Sequence, residues 1–165
     1  MTKKCPVCYD EKGVEPMEIR ELEYEDLETA SRVLWKSYYE AEKNNTPMEG
    51  MEKFRDLTSP VSLSMNTFDG SVLLYGAFEN EKLVGVGALK EKRHVLLLFV
   101  LPESQRRGVG AALLSHLLSL CTANFVTVNS SDFGVSFYQK FGFSPVAPRR
   151  VEEGLVFTPM QKRIK

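Results

Sequence analysis

Val95-Leu96-Leu97-Leu98-Phe99-Val100-Leu101-Pro102-Glu103-Ser104-Gln105-Arg106-Arg107-Gly108-Val109-Gly110-Ala111 sets the architecture of this chain. The unbroken apolar run from Val95 to Leu101 reads as a strand covered on both faces. Pro102 ends it, because proline has no N–H for a ladder. Ala112 to Leu118 then has helical composition and spacing, so Gln105 to Ala111 is the turn that feeds a helix.

A buried strand, a glycine-containing turn and a helix N-terminus describe an anion site. The first N–H groups of the helix lack partners inside it, and the macrodipole adds partial positive charge. Gly108 and Gly110 remove Cβ atoms where phosphates approach the backbone, and Arg106 and Arg107 add formal charge at the rim. The ligand expected there carries a pyrophosphate. A P-loop is excluded, because neither glycine is followed by Lys and Ser or Thr at the required spacing. A dinucleotide fingerprint is excluded too, since Leu113 stands where the third glycine belongs.

Working outward, 165 residues suit one domain with a real core. Lys and Arg total 21 against 22 for Asp and Glu, which gives no basic field for nucleic acid or an anionic membrane surface. No apolar run approaches the roughly 20 residues of a membrane span, and the first residues are polar, so neither a membrane segment nor a signal peptide is expected. Three cysteines make no disulfide framework, and a reducing cytoplasm is the compartment expected. Residues 1–16 read as a polar, flexible tail. Its Cys5-Pro6-Val7-Cys8 resembles a metal knuckle but supplies two of the four ligands such a site needs, so no metal is assigned unless two chains share it.

The domain is expected over residues 17–165. Met17 to Arg20 alternates as an edge strand, and Glu23 to Lys43 is a helix with Leu27, Ala30, Val33, Leu34, Tyr38 and Ala41 facing a core. Met48 to Leu57 is a second helix, and Val61 to Gly70 reads as a loop. Val72 to Phe78, Leu83 to Leu89 and the apolar run form an antiparallel meander. Gly85 and Gly87 in its middle strand suggest a bulge or a close approach. Asn124 to Asn129 is the next strand, reached by a right-handed crossover through the helix. Phe133 to Lys140 is a helix closed by a left-handed Gly142, and Phe143 to Ala147 pairs with Gly154 to Ile164 around a basic turn at Arg149 and Arg150.

Gln105-Arg106-Arg107-Gly108-Val109-Gly110, after a strand ending near proline, resembles the acyl-CoA signature of the GNAT superfamily of N-acetyltransferases. Phe137-Tyr138-Gln139-Lys140-Phe141-Gly142-Phe143 is similar to that family's closing signature, and Asn129-Ser130-Ser131 resembles an element some members carry just before it. The order of elements also matches. The resemblance implies an α/β (α+β) fold: a mixed, mostly antiparallel central sheet flanked by helices, with splayed fourth and fifth strands. It implies acetyl-CoA as co-substrate, with the backbone of Leu98, Phe99 and Val100 holding the pantetheine arm as an added strand. Gln105, Arg106, Arg107, Gly108, Val109, Gly110 and Ala111 would cradle the pyrophosphate, and Ser131 and Tyr138 would flank the cofactor.

The implied reaction is direct acetyl transfer to a primary amine of a small molecule or peptide. The acceptor must first lose a proton, the acyl oxygen needs a donor such as a fourth-strand N–H, and the departing thiolate gains from an acid. The resemblance assigns that acid to Tyr138. His94, at the start of the central strand, is the candidate base, because its ordinary pKa suits the task. Glu49 and Glu103 are further carboxylate candidates, and His116 and Cys121 are expected to pack. The rival reading is a catalytically idle acyl-CoA-binding sensor. The resemblance implies a monomer or a homodimer, since family members are often dimers, and nothing in the residues selects between them.

Overall fold

The computed structural model describes residues 17–165; the Cys5 and Cys8 pair lies outside them. Strand β1 (Met17–Glu21) leads through a 3-10 turn at Tyr24–Asp26 into α1 (Leu27–Glu42), α2 (Met48–Leu57) and α3 (Pro60–Thr67). The meander β2 (Val72–Glu79), β3 (Lys82–Lys90) and β4 (His94–Val100) follows, then α4 (Val109–Ser119), β5 (Phe125–Ser130) and α5 (Val135–Lys140). The chain closes with β6 (Ser144–Pro145), β7 (Arg150–Glu152) and β8 (Leu155–Arg163). One sheet runs in the order β1-β2-β3-β4-β5-β8-β6, with β7 also on β8, and every pairing is antiparallel except β4 with β5.

The segment expected as a loop from Val61 to Gly70 is largely α3. Its apolar residues Val61, Leu63 and Met65 run at period two, which hides a helix, and only Leu63 is buried. The start signal is chemical: the Ser59 side chain accepts from the Ser62 N–H at 3.2 Å, and Pro60 occupies the first turn. At the other end of the chain, the last hairpin turns at Glu153 and Gly154, both at positive φ, with Glu152 opposite Leu155. Arg150 is therefore in a strand and not in the turn, and Phe143 to Ala147 contributes only the short β6.

Helices cover the two faces of the sheet. Gly85 and Gly87 face α4, where added Cβ atoms would lie 3.0 Å from Leu113 and 3.1 Å from Leu117. The missing side chains let α4 settle close to β3 and bury Leu113, Leu114 and Leu117 completely. Truncating any of these leucines to alanine costs about 2–5 kcal/mol. The bulge expected in β3 is also present, with Val84 the extra residue between the Ala77–Gly85 and Phe78–Leu83 pairs. On the opposite face, Phe99 meets Tyr38 of α1 and Phe54 of α2. Among the described residues no helix is long and apolar enough to cross a membrane.

The central strand departs from its expected burial. Val95 is buried, but Leu96 is 39% exposed and Leu97 to Val100 are half-buried. The cause is a second bulge: Ala88 pairs with Leu97 and Leu89 with Val95, which leaves Leu96 as the extra residue on β4. A bulge bends its strand. Pairing of β4 with β5 stops at the same level, being confined to His94 with Thr127 and Val95 with Val128. Beyond those two rungs the parallel strands separate and leave an open gap in the middle of the sheet.

Candidate active site

The gap has one polar edge. The Leu101 N–H donates to the Val84 carbonyl at 2.8 Å, so Leu101 faces β3, and alternation turns the N–H and C=O of Val100 and Leu98 toward the gap. By the same alternation the amide groups of Phe99 face β3. Phe99 thus drops out of the expected backbone trio and contributes its ring on the α1 side instead. Gln105 is also reassigned in part, because its side chain donates to the Val100 carbonyl at 3.0 Å and braces the strand end.

At the end of β4 the chain turns through Arg106 (φ +62°) and Gly108 (φ +83°) before α4 begins. Gly108 caps α4 without a side chain. The backbone N–H groups of Arg106, Arg107, Gly108, Val109, Gly110 and Ala111 donate to no acceptor among the described residues; the first α4-entry bond is Ala112 to the Gly108 carbonyl. Successive free amides at a helix N-terminus form a concave anion receptor. Arg106 is exposed and has no ion-pair partner among the described residues, whereas Arg107 is held by Glu79 at 2.9 Å, which offsets its charge. A Cβ at Gly110 would meet Phe137 and Val100 only at ordinary contact distance.

Tyr138 stands on α5, wedged edge-on between Phe137 and Phe143, each 5.3 Å away, and is 6% exposed. Burial drives its phenol far above the usual range, so it holds its proton at every ordinary pH. Its hydroxyl has no hydrogen-bond partner among the described residues. Ser131 follows β5 directly and caps the next turn by accepting from the Gly134 N–H at 3.2 Å, while its own hydroxyl favours the charged form of the Glu42 carboxyl.

The family model described as an acetyltransferase (GNAT) domain matches residues 37–164. This chain belongs to the GNAT acetyltransferase family. A spermidine N(1)-acetyltransferase of Thermoplasma acidophilum is 29% identical over 77% of the chain and 88% of that protein. The uncharacterized N-acetyltransferase YafP of Escherichia coli is 38% identical over 48% of the chain, a match that spans 53% of YafP. Among solved structures, the PaiA N-acetyltransferase of Thermoplasma acidophilum in complex with coenzyme A superposes with a TM-score of 0.74 at 26% identity, over 90% of this chain and 99% of that one. A GCN5-related N-acetyltransferase from Rhodopseudomonas palustris reaches 0.79 at 23% identity over 88% and 94% of the two chains.

In this GNAT domain the candidate base is poorly placed for its role. His94 lies on the closed end of the β4–β5 pair, its Nδ1 2.7 Å from Thr127 Oγ1, in a pocket lined by Arg93, Ala123, Asn124 and Phe125. Burial, with Lys90 adding to it, lowers its pKa. The gap opens in the opposite direction, along the roughly 20 Å that seven strand residues span. Glu103 is engaged on the surface by Lys36 at 3.2 Å and Lys82 at 4.0 Å, and Glu49 is exposed in the first turn of α2. Cys121 is half-buried, directs its thiol at the Leu117 carbonyl and has a raised pKa from burial, which fits packing. His116 packs edge-on against Tyr75.

The residue that sequence reasoning missed is Glu42. It is 2% exposed at the end of α1, with Oε2 accepting from the Thr46 hydroxyl at 3.2 Å. Burial raises its pKa, Thr46 counters this, Asp132 adds to it, and Ser131 and Arg149 oppose it. A signal was available in the spacing. Leu34, Tyr38 and Glu42 fall at successive i+4 positions, so the carboxylate sits on the apolar stripe of its own helix.

Proposed function

We propose that this acetyltransferase moves the acetyl group of acetyl-CoA directly to a primary amine of a small molecule or peptide. The observation that carries the reading is the run of unsatisfied amides from Arg106 to Ala111 at the end of a strand whose free edge lines the gap. The fit to the co-substrate is chemical. The free amides and Arg106 suit a diphosphate, and the inward N–H and C=O of Leu98 and Val100 suit the amides of a pantetheine arm laid down as an extra strand. Acetyl-CoA, when bound, supplies an activated acyl group as a thioester.

The chain's own residues then divide the work. Gln105 fixes the Val100 carbonyl and so the end of the receiving strand. The Leu98 N–H is the fourth-strand donor available to the acyl oxygen as it gains charge. Tyr138, kept protonated by burial, is the proton source for the departing thiolate. The amine enters from the α1 and α2 face, since α4 covers the other. The named activity of the Thermoplasma acidophilum relative supports a small aliphatic amine as acceptor.

Calorimetry with coenzyme A, followed by thiol release across an amine panel, tests the reading. Binding with acceptor-dependent release is expected. Binding without release from any amine would make the chain an acyl-CoA sensor, and no heat from coenzyme A or acetyl-CoA would remove the reading altogether.

A further inference from the structure

Among the described residues, the buried side-chain atoms without a hydrogen-bond partner are Glu42 Oε1 and His116 Nε2. An imidazole can bury a neutral nitrogen at modest cost. A carboxylate oxygen is different, because its charge is strongly disfavoured away from water unless a cation faces it. No lysine, arginine or histidine among the described residues forms an ion pair with Glu42. Arg149, whose field reaches the carboxylate, is committed to Asp132 through contacts of 2.8 and 3.0 Å.

The surroundings of that oxygen are specific. One turn back along α1, Tyr38 stacks on Phe54 with centroids 3.7 Å apart, and both rings present themselves to Phe99 edge-on at 6.0 and 5.3 Å. Phe99 belongs to the part of β4 that has parted from β5, and Ser131 follows β5 on the far side of the gap. Glu42 therefore lies one turn beyond the aromatic cluster on α1, by the hydroxyls of Thr46 and Ser131, where the acceptor face meets the opening. A carboxylate beside aromatic rings complements an aliphatic ammonium, which takes a charge-assisted hydrogen bond from one and quadrupole attraction from the others.

We propose that Glu42 Oε1 is the receptor for the ammonium group of an aliphatic amine acceptor, with Tyr38, Phe54 and Phe99 walling the adjoining methylenes. Glu42 acts here as a specificity-determining residue. The inference rests on the acetyl-transfer reading and goes beyond it by naming the residue that receives the acceptor's charge.

Calorimetric titration of the full chain with butylamine and with 1,4-diaminobutane, free and loaded with coenzyme A, tests it. At least one amine should bind the wild type. Glu42→Gln, which keeps the shape and removes the charge, should weaken that binding by about 30-fold or more, the usual consequence of deleting one member of a buried charge pair. Glu42→Asp should fall between, and coenzyme A affinity should be the same in all three. In the wild type, which needs no variant to fold, the Glu42 carboxyl carbon resonance should shift saturably as amine is added. No heat from either amine, a Glu42→Gln affinity within threefold of wild type, or an unmoved resonance would overturn the assignment. Loss of coenzyme A binding with amine binding intact would instead sink the transfer reading and leave the ammonium site standing.

Discussion

At the scale of single residues, a group placed for binding leaves a mark on stability. Glu42 has a raised pKa in the folded chain, chiefly from burial, so the folded state holds a proton there more tightly than the unfolded state does. Stability from this group is then fullest at pH below the unfolded carboxylate range and declines as pH rises through the folded value. The charged groups whose fields reach it are Asp132, which opposes ionisation, and Arg149, which favours it; the hydroxyls of Thr46 and Ser131 also favour the charged form. Glu42→Gln should melt higher than wild type at pH 7 and lose that advantage by about pH 4, as thermal unfolding at the two pH values will show. Tyr138 behaves differently. Tyr138→Phe keeps the packing between Phe137 and Phe143 and should leave coenzyme A affinity unchanged while slowing acceptor-dependent thiol release by about 10²-fold. An unchanged rate with chemistry limiting would remove its role as acid. Both residues were open to inspection in the sequence, but unequally. Tyr138 stands inside a signature, whereas Glu42 is legible only as a charge on an apolar stripe, a pattern with no meaning until a partner is found missing.

Among the elements, the strand–turn–helix from β4 to α4 was the most legible, because proline and two glycines punctuate it at fixed offsets. What the sequence hid is how the strand is bent. Leu96 is one leucine of three in a row, and only the register against β3 reveals it as the bulged residue that parts β4 from β5. For a similar reason α3 stayed hidden, since its period-two apolar residues outweigh the Ser59–Pro60 start signal. The turn itself supports a paired prediction. A Cβ at Gly110 meets Phe137 at 3.6 Å and Val100 at 3.7 Å, so Gly110→Ala should fold and bind coenzyme A nearly as wild type does. Gly110→Asp should also fold but abolish binding, because it sets a negative charge beside the free amides. Calorimetry on the two variants separates bulk from charge. If alanine is as damaging as aspartate, close backbone approach and not electrostatics governs the site.

For the molecule as a whole, the sheet works as a partition. The proposed diphosphate receptor and α4 lie on one face, α1 and α2 on the other, with the gap between β4 and β5 opening between them. The acceptor face has its own remote brace. The β7–β8 turn seats Gly154 directly on Gly50 of α2, where a Cβ on Gly50 would fall 2.1 Å from the Gly154 carbonyl oxygen, and Lys53 pairs with Glu153 at 3.0 Å beside it. Phe54 follows Gly50 by one turn on the same side of α2. Gly50→Ala must therefore push α2 away from the hairpin and carry Phe54 with it, off Tyr38 and Phe99. Overpacking of this kind costs about 1–3 kcal/mol, and a chain of this length should melt several degrees lower. If the faces are energetically separate, the KM for an amine acceptor should rise several-fold while the coenzyme A dissociation constant stays within about twofold, since well-separated sites couple weakly. Steady-state kinetics and calorimetry on the same preparation check both numbers. A parallel loss of coenzyme A affinity would mean that the gap transmits strain from α2 to the diphosphate turn, and the sheet would then be a hinge and not a partition.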